Sequence, residues 1–161
     1  FQAEDGIRDF CLSRALGDVY KRQRLESTIP NAAGSSTAWT ANTGTALAAV
    51  QDTLGGYDSD TDYISESTSN DDHLFTHDFT LSGASAILFA FSQALARNDG
   101  SGTINILCKS SATTTSKAPA PSTLSTSYKW KGAVFEVDPN TAAAWANVAA
   151  LDAAEFGVRY N

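Results

Sequence analysis

The stretch AILFAFSQALARNDGSGTINILCK, residues 86–109, decides the fold predicted from the sequence. Large side chains occupy alternate positions from Ile87 to Arg97, and alanine or serine fills most of the positions between them. This period of two is typical of a half-buried strand. Asn98–Gly102 then supplies residue types that tolerate the backbone of a tight turn, and Thr103–Lys109 alternates again. The stretch therefore predicts a β-hairpin.

The faces of the predicted hairpin follow from the same alternation. We expect the bulky odd-numbered side chains from Ile87 to Leu95 to lie between two layers, together with the apolar positions of Ile104–Cys108. A helix over Ala86–Asn98, capped by Ser85, is the alternative, because four apolar side chains would then share one helical face. Two β-favouring phenylalanines and the matching return strand favour the hairpin.

Composition bounds the class of protein. The chain has 161 residues, of which 42% are apolar, which suits one domain with a buried core. Its 18 acidic and 11 basic residues give a net charge of −7. An acidic surface repels nucleic acid and anionic lipid, so neither is an expected partner. No run of apolar residues is long enough to predict a membrane-spanning helix. Two cysteines, Cys11 and Cys108, cannot form a disulfide framework.

Residues 1–23, FQAEDGIRDFCLSRALGDVYKRQ, resemble a translated sequencing adapter. The run Gln2–Asp9 is what the adapter-like oligonucleotide CAA GCA GAA GAC GGC ATA CGA GAT encodes. We interpret the segment as a non-native artefact, which leaves residues 24–161 as a single β-sandwich domain. The alternative is a short amphipathic helix, because Leu12, Leu16 and Val19 would share a face.

The rest of the chain is a series of short apolar runs between clusters of Ser, Thr, Asn, Asp and Gly, which predicts many strands. The further candidate strands are Ser27–Asn31, Ala46–Asp52, Tyr63–Ser67, Leu74–Leu81, Leu124–Val137 and Glu155–Tyr160. Residues 110–123 are predicted to be a surface loop. A short helical turn is predicted near residues 141–150, with Thr141 as its cap. The predicted fold class is an all-β, antiparallel β-sandwich, jelly-roll-like or immunoglobulin-like.

An acidic loop is the candidate metal site. Asp58, Asp60 and Asp62 place carboxylates at alternate positions, as the opening of an EF-hand calcium loop does. The match ends there, because Tyr63 stands where that loop needs glycine and Ser69 where it needs glutamate. A looser calcium site is one hypothesis, and calcium is the one cofactor considered. The alternative is a solvated loop in which the aspartates cap turns.

The sequence predicts no catalytic residue, so the protein is predicted not to be an enzyme. It contains no G-x-S-x-G elbow and no phosphate-binding loop. His73 and His77 would share one face of a strand, but zinc needs further ligands, so we expect ordinary polar residues at strand ends. Cys108 lies on the apolar face of its strand and is expected to be a buried, inert thiol.

Tyr128 and Trp130 are the candidate carbohydrate-binding residues. They are two positions apart on a predicted strand and therefore share a face. If that face is exposed, the two rings form a platform on which a sugar stacks. The alternative is that both rings pack in the core of the sandwich, since large rings bury much area.

Seven stretches carry a resemblance to known proteins through their order and spacing. They are Pro30–Thr40, Ala49–Asp52, Asp60–Ile64, Leu124–Tyr128, Phe135–Thr141, Ala144–Trp145 and Ala154–Val158. Together they resemble a family of small phage virion proteins that are encoded among tail and capsid genes. The chain departs from that family at Ala142 and Ala143, where such proteins often have glycine, and in having only Arg97 on the long central strand.

The resemblance implies a jelly-roll-like sandwich and a structural role in the virion, as a tail, fibre or capsid-decoration protein. The family has no established catalytic residues, so none is transferred. It implies other virion proteins as partners, a homo-oligomer, and assembly in the bacterial cytoplasm, where a free cysteine is stable. The alternative function is a carbohydrate-binding β-sandwich module that binds a host glycan, with or without calcium.

Overall fold

The computed structural model describes residues 25–51, 60–81, 86–98 and 101–161, and these residues form nine strands and two short helical segments. The strands are β1 (Pro30–Thr37), β2 (Thr40–Ala41), β3 (Ile64–Ser65), β4 (Asp72–His77), β5 (Ala90–Ala96), β6 (Ile104–Ser110), β7 (Thr113–Lys117), β8 (Lys129–Phe135) and β9 (Glu155–Tyr160). A 3-10 turn spans Ala48–Val50, and helix α1 spans Val148–Asp152. The segment 1–23 lies outside the described residues.

One layer is a five-stranded antiparallel sheet in the order β1-β4-β9-β6-β7. Strand β9 lies at its centre, with Phe156 opposite Phe75 on one side and Cys108 on the other. Side chains alternate along each strand, so these three residues share the face that is turned to the core. The bounds predicted for β9 are those observed, and its Phe156 and Val158 are buried.

The second layer is the antiparallel pair β5–β8, and a separate short pair is formed by β2 and β3. From β4 to β9 the chain crosses between the layers repeatedly: β4, β6, β7 and β9 belong to the large sheet, β5 and β8 to the small one. This alternation is that of a jelly-roll-like sandwich. The predicted all-β antiparallel sandwich is therefore confirmed.

The predicted hairpin is wrong in its pairing. Both of its strands exist, and the helical alternative for Ala86–Asn98 is not observed. However, β5 pairs with β8, while β6 pairs with β9 and β7. Strands β5 and β6 therefore belong to different layers, and both edges of β6 are hydrogen-bonded to other strands.

The orientation predicted for β5 is inverted. Its small residues Ala90, Ala94 and Ala96 pack against the core, while Phe91, Gln93 and Leu95 point outward. Ile87, which precedes the strand, is buried as predicted. The reason is volume, because bulky side chains from the facing sheet fill the space in front of the alanines. Packed layers combine large side chains on one side with small ones on the other.

The core between the layers is closed by aromatic rings. Phe135 and Phe156 meet edge to face with their ring centroids 6.1 Å apart. Trp145 is buried, and its indole N–H donates a 3.0 Å hydrogen bond to the carbonyl of Phe135. Lys131 is also buried, and its ammonium donates to the carbonyls of Pro121 and Thr123 at 2.7 and 2.8 Å. These two bonds offset the cost of removing a charge from water.

Several predicted boundaries are corrected by the structure. The predicted loop 110–123 contains strand β7, and the predicted strand Ala46–Asp52 contains the 3-10 turn instead. Strand β1 begins at Pro30, where the sequence predicted a strand to end. Helix α1 begins after Asn147, whose side chain accepts a 2.9 Å hydrogen bond from the Ala150 amide, so the cap is not Thr141.

Candidate functional site

The outward face of β5–β8 carries a group of exposed apolar side chains. Its residues stand in cross-strand pairs: Phe91 opposite Val134, Leu95 opposite Trp130, and Gln93 opposite Gly132. Phe91 is 54% exposed, Trp130 55% and Val134 40%, and Phe89, just before β5, is 46% exposed. Single exposed apolar residues are common in proteins, but a contiguous group of them marks an interaction surface. We call this surface the β5–β8 face.

Glycine at the middle of β8 shapes the β5–β8 face. A Cβ placed on Gly132 would lie 2.6 Å from Cζ of Phe91, so the Phe91 ring extends across the space that glycine leaves. The ring therefore lies along the sheet instead of standing upright on it. The Phe91 ring thus covers Gly132 beside the exposed side chain of Gln93, between the two outer pairs of side chains.

One end of the β5–β8 face is closed by a polar cluster of Asp60, Arg97 and Tyr128. The Arg97 guanidinium forms a 2.8 Å ion pair with Asp60 and lies 5.3 Å from the centre of the Tyr128 ring. The Tyr128 hydroxyl donates a 2.9 Å hydrogen bond to Asp60. Burial, and then this bond to a carboxylate, raises the pKa of Tyr128.

This cluster bears on the predicted calcium site. Asp60 is engaged by a cation and a phenol, and Asp62 accepts a 3.0 Å hydrogen bond from the Thr43 hydroxyl. Asp58 lies outside the described residues. Within the part of the chain that the structure describes, no group of three or more potential ligands could hold a metal ion. The calcium site stays a prediction.

The predicted sugar platform is brought together only in part. Tyr128 and Trp130 do lie toward the same face, because the Arg97 that covers Tyr128 projects outward from β5. Trp130 is half exposed, whereas Tyr128 is mostly covered and its hydroxyl is committed to Asp60. The neighbours of Trp130 on the face are Leu95, which is apolar, and Gln93, which carries an exposed amide.

The two histidines lie near the two ends of β4, as expected, but on its core side, so His73 is not an ordinary polar surface residue. It is fully buried, and its Nδ1 accepts a 3.2 Å hydrogen bond from the Trp39 amide. His77 contacts the rings of Phe79 and Phe156 at centroid distances of 6.3 and 5.6 Å. Desolvation lowers the pKa of both, that of His77 to about 4.

Cys108 is fully buried on β6, as predicted. Desolvation raises the pKa of its thiol to about 12. In a Cys11→Ser variant, where Cys108 is the remaining thiol, we expect a disulfide reagent at pH 8 to modify the folded protein about 100-fold more slowly than the urea-unfolded one, since the thiolate is the nucleophile. Equal rates in the two states would contradict the burial of this group.

Sequence reasoning missed one constellation, which joins Ser35, Lys109 and Glu155. The Ser35 hydroxyl donates a 2.6 Å hydrogen bond to Glu155 and accepts one from the Lys109 ammonium. Lys109 and Glu155 are paired across β6 and β9, 3.9 Å apart. The Ser35 hydroxyl thus bridges a lysine and a glutamate that already pair with each other across the sheet.

The constellation has a structural reason. Ala33 pairs with Phe75 and Thr37 pairs with His73, so this interval contains more residues in β1 than in β4. The extra residues of β1 form a bulge. Gly34 lies so close to β4 that a Cβ would be 2.7 Å from the Leu74 carbonyl. The bulge thus covers Leu74, and the hydrogen bonds of Ser35 connect the bulge to the central strands β6 and β9. No local sequence signal marks such a bulge, because it depends on the neighbouring strand.

Comparisons with protein families, with curated proteins and with solved structures find no match to this chain. Among the described residues, no helix has the length and apolar character that a membrane span requires. The candidate site therefore has to be interpreted from its own geometry.

Proposed function

We propose that this protein is a non-enzymatic structural component of a phage virion, in the tail, a fibre or the capsid decoration. It acts by binding other virion proteins and further copies of itself. The observation that carries the proposal is the β5–β8 face, where Phe91, Trp130 and Val134 are 40–55% exposed side by side. The jelly-roll-like sandwich and the ordered resemblance to virion proteins support it.

The chemistry of the β5–β8 face suits protein–protein contact. Aromatic side chains are enriched where proteins bind each other, and charged residues are depleted from the centre of such contacts. The outward positions of β5 and β8 from Phe91 to Leu95 and from Trp130 to Val134 carry no charge, although the chain as a whole has 18 acidic residues. An uncharged surface on an acidic chain is a place where another acidic protein meets least repulsion.

The experiment is co-expression with the capsid and tail genes that we expect to flank the reading frame. Particles are purified and tested for the chain, with Phe91→Lys as the variant in the β5–β8 face and Thr114→Lys as a matched control on exposed β7. We expect the wild type and Thr114→Lys in the particles and a strong loss for Phe91→Lys. Flanking genes of another kind, or particles without the wild-type chain, would refute the proposal.

A second candidate function is carbohydrate binding, favoured by one observation. The Trp130 ring is half exposed beside the exposed amide side chain of Gln93, and a sugar site combines a ring for stacking with polar groups for hydrogen bonds. A glycan array with and without calcium tests it, with Trp130→Ala as the variant. A blank array under both conditions, or binding that Trp130→Ala leaves intact, would exclude this function.

A further inference from the structure

We infer that the β5–β8 face binds the β5–β8 face of a second copy of the chain. The two copies are related by a two-fold axis that lies in the interface and crosses the strands at the level of Gln93 and Gly132. The inference rests on the proposed function for the use of the β5–β8 face as a binding surface. It adds how two copies of the chain contact each other there.

The β5–β8 face has an apolar pair of side chains at each side of its middle pair, so its chemical character is the same from either end. Gln93 and Gly132 form the middle pair, and an apolar pair stands two residues away on each side, Leu95 with Trp130 and Phe91 with Val134. The proposed axis exchanges the ends of the face. It therefore places the Trp130 of one copy over the Val134 of the other, and the Leu95 of one over the Phe91 of the other. A two-fold contact requires such a self-complementary patch.

The area of the face is that of a weak interface. A fully exposed Phe or Trp side chain presents roughly 200 Å². At the exposed fractions given above, Phe89, Phe91 and Trp130 together present about 300 Å², to which Val134 adds. An apolar patch of this size lies at the lower end of the ~300–600 Å² that the largest patch of a monomer covers, and two such faces bury less than the standard ~1,600 Å². We therefore expect a dimer that forms at high protein concentration.

The distribution of charge favours the same arrangement. Two copies of a chain with a net charge of −7 repel each other over most of their surfaces. The β5–β8 face is uncharged through its middle, with Arg97 on its outward side at one end and the exposed Glu136 at the other. Since the axis exchanges the two ends, Glu136 of each copy approaches the end that holds the Asp60–Arg97 ion pair of the other, where the two charges balance.

The test uses the full-length chain with Cys11→Ser and Gln93→Cys, together with a short bismaleimide that matches the ~10 Å between packed sheets. Because the axis passes through position 93, this residue lies opposite itself in the dimer. Cys108 is buried and does not compete. We expect covalent dimer to form at least about tenfold faster than with Thr114→Cys, an exposed control position on β7.

Adding Phe91→Lys to the Gln93→Cys chain places two like charges in the apolar contact, and cross-linking is expected to fall to the control rate. Sedimentation equilibrium of the wild type and of Phe91→Lys, without any cysteine variant, should show the same difference. Equal rates at positions 93 and 114, or cross-linking that Phe91→Lys does not change, would overturn the inference.

The inference and the proposed function fail separately. If position 93 cross-links rapidly but the chain is absent from the particles, the dimer stands and the virion role is refuted. If the chain enters the particles through the β5–β8 face without a cross-link at position 93, another virion protein covers the face and the dimer is refuted.

Discussion

Gly157→Ala is expected to lower the free energy of unfolding by at least about 3 kcal/mol, a large share of the total stability of a domain this size. Gly157 lies at the centre of β9, between Leu74 of β4 and Leu107 of β6. A Cβ built on it would be 1.8 Å from the carbonyl oxygen of His73 and 2.9 Å from the Cα of Leu74. Both are backbone atoms, so no change of rotamer relieves the overlap, and the central strands have to separate.

Urea unfolding, followed by tryptophan fluorescence, measures this effect. The matched control is Gly44→Ala, where a Cβ would meet nothing within 4 Å and where the cost, about 1 kcal/mol, comes from the positive φ of +60°. A Gly157→Ala protein within 1 kcal/mol of the wild type would show that β4 and β9 are not as close as the structure places them.

Local patterns were sufficient for the strands that the sequence located well. In Glu155–Tyr160, large apolar residues alternate with polar residues and glycine, and the strand forms with those bounds. The alternation in Ala86–Arg97 likewise locates β5. A period of two depends only on which side chains point the same way, so it is visible without knowing the partner strand.

The pairing of the strands was beyond local patterns. Asn98–Gly102 has the composition of a hairpin turn, but β5 and β6 lie in different layers. The choice was decided by β9, which is about 50 residues away along the chain and pairs with β6 over its whole length. Such pairings depend on how well distant strands match, and a single sequence gives no measure of that match.

The candidate site shows the same limit in a different form. The alternation divided β5 into two faces but did not decide which face is buried, and the bulky one was assigned to the core. A signal was available, because the bulky set also contains Gln93 and Arg97, which belong in solvent. The small set contains only alanine and serine over the length of the strand. Giving weight to the polar members would have placed Phe91 outside.

Acid is expected to destabilise the protein well above the pH at which its carboxylates become neutral. Burial lowers the pKa of His77 from 6.5 to about 4, because the rings of Phe79 and Phe156 surround it and disfavour the imidazolium. In the unfolded chain the same histidine takes up a proton near pH 6.5. The stability that depends on a neutral His77 is therefore complete above pH 6.5 and is lost as the pH falls toward 4.

With pKa values of 6.5 in the unfolded and about 4 in the folded chain, the free energy of unfolding falls by about 2 kcal/mol between pH 7.5 and pH 5. Burial also lowers the pKa of His73, which adds to this loss. His77→Phe keeps a ring of similar size between Phe79 and Phe156 but cannot bind a proton. In urea unfolding, we expect the free energy of unfolding of that variant to fall by about 2 kcal/mol less than that of the wild type over the same pH interval. The measurements stop at pH 5, because Glu66 has a lowered pKa and its contribution to stability changes only below pH 4.5. The effect of His77 is thereby measured separately from that of Glu66. If His77→Phe and the wild type lost stability in parallel, His77 would have to be protonated, or accessible to water, within the fold.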